Sequence, residues 1–65
     1  MKLIVDIDIG GHAFRGAAGA AEAARHLRQL ANEIELKAVD FAACRDGHRL
    51  AGAEDGVVIA YLADL

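Results

Sequence analysis

The chain begins with a segment in which apolar and polar positions alternate. The apolar positions on one side are Leu3, Val5, Ile7 and Ile9. Asp6 and Asp8 occupy the other side, together with Lys2 and Ile4. Such a period of two is typical of a strand with one buried face, because successive side chains point to opposite faces of a sheet. We predict a first strand over residues 2–9, ended by Gly10-Gly11.

From position 20 onward the apolar residues recur at steps of three and four. These positions are Ala20, Ala23, Ala24, Leu27, Leu30, Ala31 and Ile34. The residues between them are largely polar, which gives a helix one apolar and one polar side. Alanine, leucine, glutamate and arginine also favour helix intrinsically. We predict an amphipathic helix over residues 20–36, with His26 on or beside its polar side.

Two further segments have the pattern of strands. Residues 38–45 alternate again, with Val39 and Phe41 on one face, and we predict the second strand there. The apolar run at residues 57–62 predicts the third strand. Turn signals at Asp46-Gly47 and at Glu54-Asp55-Gly56 lie between them. The pattern leaves open whether residues 48–51 add a short strand or extend a loop.

Together these elements predict an α+β fold, in which one amphipathic helix packs on a three-stranded antiparallel sheet in the order β-α-β-β. The chain of 65 residues is long enough for one domain, residues 1–65, but so short a domain buries only about 60% of its unfolded surface. Much of its apolar fraction of 55% is alanine. The core is therefore thin, and contact with a second protein surface would add stability.

The third predicted strand is apolar on both faces. One face carries Val57, Ile59 and Tyr61, and the other carries Val58, Ala60 and Leu62. A strand in a sheet with one solvated face should alternate, so we expect a protein surface to cover the second side. We predict Val58, Ala60 and Leu62 as the contact residues, with either a second copy or a foreign partner. The alternative is that these small side chains lie exposed, as scattered apolar residues do.

The polar side of the helix is a second candidate surface for a partner. Its candidate contact residues are Arg25, Arg28, Gln29 and Asn32. The two arginines could contact phosphate or an acidic protein surface. Glu22, Glu33 and Glu35 interleave with them, however, which also fits an ordinary solvated face with surface ion pairs.

Charge and composition narrow the classes of partner. A net charge of −3 argues against nucleic acid as the main partner, because such proteins usually carry a basic surface. Asp6 and Asp8 interrupt the first apolar segment, so it does not have the pattern of a signal peptide. No apolar run approaches the about 18 residues of a membrane-spanning helix. We expect a cytoplasmic protein without membrane contact, and the lone Cys44 suits a reducing compartment.

The residues that could support catalysis or bind a metal follow no familiar spacing. Asp6 and Asp8 share a strand face, but the further carboxylates of a cation site are missing nearby. The candidate zinc or nucleophile residues are His12, His26, His48 and Cys44, which have neither zinc-site spacing nor an orienting third group. The glycines at positions 10, 11, 16 and 19 match no nucleotide-binding fingerprint. We expect no catalytic residue, metal or cofactor, with a small metal-dependent enzyme as the less favoured alternative.

Several short features together resemble small proteins encoded by bacteriophages. They are Ala13-Phe14, Gly19 before the helix, a Glu-x-x-Arg-x-Leu-Arg-x-Leu-Ala stretch from Glu22 to Ala31, and the turn Asp46-Gly47. Acidic phage proteins of this size often resemble inhibitors of bacterial defence, such as anti-CRISPR proteins. The resemblance implies no known catalytic residues, and it favours a protein that binds and blocks a bacterial host or defence complex in the host cytoplasm. The alternative is a structural homodimer without an inhibitory role.

Overall fold

The computed structural model describes residues 1–52 and 56–65. Its elements are the strand β1 (Lys2–Ile7), a 3₁₀ helix (His12–Phe14), the helix α1 (Gly19–Lys37), a second 3₁₀ helix (Phe41–Ala43), and the strands β2 (Arg49–Gly52) and β3 (Val58–Ala63). In the predicted turn at residues 54–56, Glu54 and Asp55 lie outside the described residues.

The three strands form one antiparallel sheet in the order β1-β3-β2. β1 pairs residue for residue with the central strand β3, from Lys2 opposite Ala63 to Ile7 opposite Val58. The pairing of β2 with β3 is irregular between Arg49 and Ala51. The predicted fold class, one helix with a three-stranded antiparallel sheet, is thereby confirmed.

The predicted strand over residues 38–45 is wrong. Helix α1 ends where Ala38 adopts a left-handed conformation with φ of 48°. Beyond it, the carboxylate of Asp40 accepts a hydrogen bond from the backbone N–H of Ala42 at 3.0 Å, at the start of the second 3₁₀ helix. An aspartate that bonds the backbone two residues ahead favours a turn over a strand. The second strand is β2 (Arg49–Gly52). It overlaps residues 48–51, for which the sequence pattern did not distinguish a short strand from a loop.

The hydrophobic core lies between α1 and the inner face of β2 and β3. Its buried residues are Leu30, Leu50, Ala51, Val58, Ala60 and Leu62. The prediction that Val58, Ala60 and Leu62 contact a partner is therefore wrong, because the chain's own helix lies over them. The opposite face of β3 carries Ile59 and Tyr61, which are half-buried.

Fewer residues of helix α1 are buried against the sheet than its apolar pattern predicts. Leu30 is buried, but Leu27 is 45% exposed. His26 does not lie with the solvated polar residues: it is half-buried, and its ring stacks on Phe14 with the ring centroids 5.5 Å apart. At the C-terminal end of α1, Lys37 Nζ donates a hydrogen bond of 2.8 Å to the carbonyl oxygen of Leu50 in β2. These contacts attach α1 to the first 3₁₀ helix and to β2.

Candidate protein interaction surface

The exposed side of α1 retains all four of its predicted partner-binding residues. Arg25, Arg28, Gln29 and Asn32 are exposed. Arg25, Arg28 and Asn32 follow one another at steps of three and four residues, so they form one line along the helix. Leu36 continues this line by one more turn and is 85% exposed. We call Arg25, Arg28, Asn32 and Leu36 the outer stripe.

Leu36 was missed by reasoning from the sequence. It falls outside the spacing of the apolar positions that we assigned to the buried side, and that departure was the available signal. A leucine on the opposite side of an amphipathic helix exposes most of its side chain to solvent, where a partner could cover it. The outer stripe thus combines cationic, polar and apolar side chains.

The two arginines of the outer stripe differ in their surroundings. Arg25 forms an ion pair with Glu22, one turn earlier in α1. The hydrogen bond from Arg25 lowers the pKa of the Glu22 carboxyl below its ordinary value, and the nearby His26 lowers it further. Among residues 1–52 and 56–65, no ion pair includes Arg28. Arg28 is therefore the cation of the stripe whose charge is available to a partner.

A second apolar surface lies at the β1 edge of the sheet. Residues that pair in an antiparallel sheet share a face, so Leu3 and Val5 lie on the same face as the core residues Leu62 and Ala60. Helix α1 packs on β2 and β3, and Leu3 and Val5 stay 47% and 40% exposed. The inner face of the sheet is thus only partly covered by the helix.

The candidate metal and catalytic residues are dispersed. Asp6 and Asp8 are exposed, and the Asp8 carboxylate accepts a hydrogen bond of 2.9 Å from the N–H of Gly10. His12 and His48 are exposed in separate segments, whereas Cys44 is half-buried. Within the described part of the chain, no group of three His, Cys, Asp or Glu residues lies close enough to hold a metal ion.

A small hollow lies between α1 and the sheet. It is lined by His26, Gln29, Leu30, Glu33, Gly52 and Val58, and its volume is about 30 Å³. A space of this size holds about two water molecules, far less than a metabolite requires.

No helix among the described residues is both long and apolar enough to cross a membrane. Two of the surfaces that the described residues offer to another protein are the outer stripe of α1 and the β1 edge, where Leu36, Leu3 and Val5 are exposed. No family model, curated protein or solved structure matches the chain.

Proposed function

We propose that this chain is a protein-binding module that attaches to a bacterial protein or protein complex and blocks it. The observation that carries the proposal is the outer stripe of α1, where Leu36 is 85% exposed on the same side of the helix as Arg28. Arginine is enriched at protein interfaces, and an exposed leucine beside it supplies apolar area for a partner to bury. The proposed partner surface has an apolar hollow for Leu36 and an acidic group for Arg28.

Other features of the chain support a protein partner over a small molecule or a nucleic acid. The hollow beside α1 is too small for a metabolite. The net charge of −3 would repel the phosphate backbone of a nucleic acid except at a local basic patch. The outer stripe carries two arginines, and one of them is already paired with Glu22. This leaves too little positive charge to follow a phosphate backbone.

The blocking role is supported by the resemblance of the helix and its flanking residues to small phage proteins. In this proposal the chain acts in the cytoplasm of the bacterial host. It competes for a surface that the host complex uses, and it performs no chemistry of its own. A folded helix suits such competition, because its backbone is already ordered before it binds.

Affinity capture with matched variants tests this proposal. Tagged wild-type chain, Arg28→Glu and Arg45→Glu are each incubated with bacterial lysate, and the co-purifying proteins are quantified. Arg45 is exposed and lies outside α1, so Arg45→Glu makes the same charge change away from the outer stripe. We expect wild type and Arg45→Glu to retain the same bacterial protein in near-stoichiometric amount. Arg28→Glu should reduce its recovery by about tenfold or more.

Two results would overturn the proposal. The first is equal recovery of that bacterial protein with Arg28→Glu and with wild type, which would place the contact elsewhere. The second is recovery of the tagged chain alone in all three cases. Circular dichroism of each variant verifies that the charge reversal leaves α1 folded.

A further inference from the structure

The two edges of the sheet differ in how they are protected from pairing with another strand. β2 is four residues long, and its pairing with β3 is irregular between Arg49 and Ala51. Its Leu50 carbonyl oxygen accepts a hydrogen bond from Lys37. Short strands, bulges and lysine side chains are the usual means of blocking an edge. β1 is six residues long and regular in its pairing with β3. The β1 edge is therefore the one that a further strand can join.

The hydrogen bonds of β1 show which of its backbone groups face that edge. Just beyond β1, the N–H of Asp8 donates to the carbonyl oxygen of Val57 at 2.9 Å. In an antiparallel ladder, alternate residues bond to the same neighbour. The even-numbered residues of β1 thus bond to β3, and the N–H and C=O groups of Leu3 and Val5 point toward the open edge. These are also the two residues whose apolar side chains are left exposed on the inner face.

The sequence of β1 is complementary to itself in one antiparallel register. We propose that a second copy of this chain pairs with β1 around a two-fold axis, with Ile4 opposite Ile4 of the second copy. Leu3 then lies opposite Val5 of the second copy, and the backbone groups that face the open edge bond to each other. Lys2 lies opposite Asp6 of the second copy, so each dimer gains two cross-strand pairs of opposite charge.

Neighbouring registers lose this complementarity. A slip of two residues one way places Ile4 opposite Asp6, and a slip the other way places Lys2 opposite Ile4. A slip of one residue reverses the faces: in one direction it places Leu3 opposite Asp6, and in the other it places Lys2 opposite Val5. Only the proposed register pairs apolar with apolar and cation with anion along the whole strand.

The resulting dimer has one sheet of six strands, three from each copy. Leu3 and Val5 of both copies become neighbours on its inner face, which extends the thin core across the two-fold axis. The outer stripe lies on the side of α1 that faces away from the sheet, so this dimer leaves it accessible. The inference is thus independent of the proposed function, and either can fail alone.

Charge exchange across the two-fold axis tests the dimer. The mass of wild type, Lys2→Asp, Asp6→Lys and the double variant is measured by analytical ultracentrifugation over a range of concentrations. Each single variant places like charges opposite each other, and we expect its dimer dissociation constant to rise about tenfold or more. The double variant restores opposite charges and should recover the wild-type constant. A wild type that stays monomeric at every concentration would refute the dimer, as would single variants that dimerise like wild type.

A cysteine pair tests the register even if a charge variant fails to fold. Ile4→Cys in a Cys44→Ser background brings two thiols opposite each other, with Cα atoms about 4.5 Å apart, within the range of a disulfide. Asp6→Cys in the same background is the control, because its two thiols lie about 13 Å apart along the strands. We expect oxidation to link the Ile4→Cys chains at least about tenfold faster than the Asp6→Cys chains. Equal rates, or faster linkage of Asp6→Cys, would overturn the proposed register.

Discussion

Gly19 and Phe14 are so close that a Cβ atom at position 19 would lie 2.0 Å from the carbonyl oxygen of Phe14. Gly19 is buried at the start of α1, and the first 3₁₀ helix packs directly against it. This approach brings the Phe14 ring onto His26, one of the half-buried residues of the helix. The absence of a side chain at position 19 thereby helps to fix how α1 enters the fold.

We expect Gly19→Ala to destabilise the chain by about 2 kcal/mol or more, because the new methyl group collides with backbone that cannot rotate away. Gly11→Ala is the matched control, since its Cβ would lie 3.8 Å from the Phe14 ring, an ordinary contact. The control should change the free energy of unfolding by less than about 0.5 kcal/mol. Urea unfolding of both variants measures the difference. Equal stabilities would contradict the close packing at Gly19.

The two large leucines in the middle of α1 should respond differently to truncation. Leu30 is buried in the core and Leu27 is 45% exposed. Leu30→Ala removes buried apolar volume and should lower the free energy of unfolding by about 3 kcal/mol. Leu27→Ala should lower it by less than about 1 kcal/mol, because much of its side chain already contacts water. A larger loss for Leu27→Ala would mean that α1 is rotated about its axis.

The ion pair between Glu22 and Arg25 should give stability that depends on pH. The pKa of Glu22 is lowered in the folded chain from an ordinary value of 4.5, first by the hydrogen bond from Arg25 and then by the positive charge of Arg25, with a smaller contribution from His26. A lowered pKa in the folded state stabilises folding above the unfolded pKa, and the contribution is lost as the pH falls through the folded pKa. The effect is small, because the pair lies at the surface.

Melting temperatures of wild type and Glu22→Gln between about pH 6 and about pH 3 measure this contribution. We expect wild type to be the more stable at the higher pH and the two proteins to converge at the lower. The melting temperatures of wild type and Arg25→Gln should converge in the same way, since this variant removes the arginine that donates the hydrogen bond to Glu22. A difference between wild type and Glu22→Gln that stays constant with pH would contradict the role of the Glu22 carboxylate.

Much of the fold follows from the periodicity of the chain. The alternation in the first segment and the three- and four-residue steps of α1 are strong patterns. β1 forms over Lys2–Ile7 where 2–9 was predicted, and α1 forms over Gly19–Lys37 where 20–36 was predicted. Residues 38–45 also alternate, but four of these eight residues are alanines or a cysteine. Such small side chains bury little apolar area on a sheet face. There, the local hydrogen bond of Asp40 to Ala42 competes with a strand. The pattern of apolar and polar positions does not predict local hydrogen bonds between a side chain and the backbone.

The candidate interaction surfaces were harder to predict because they depend on which face of the sheet the helix covers. β3 is apolar on both sides, so its composition does not show that Val58, Ala60 and Leu62 point toward α1. The exposure of Leu3 and Val5 follows from the lateral position of α1 over β2 and β3, which is a tertiary feature. By contrast, Arg28 and Asn32 were predictable, since charged and amide side chains on an amphipathic helix usually face solvent.

Site-specific photo-crosslinking in bacteria tests most directly whether the chain acts through the outer stripe. A photoreactive amino acid replaces Asn32 in one variant and Tyr61 in a control, where it lies on the sheet face away from α1. We expect irradiation to link the Asn32 variant to a bacterial protein in good yield and to leave the Tyr61 variant largely unlinked. Linkage at Tyr61 without linkage at Asn32 would contradict binding through the outer stripe.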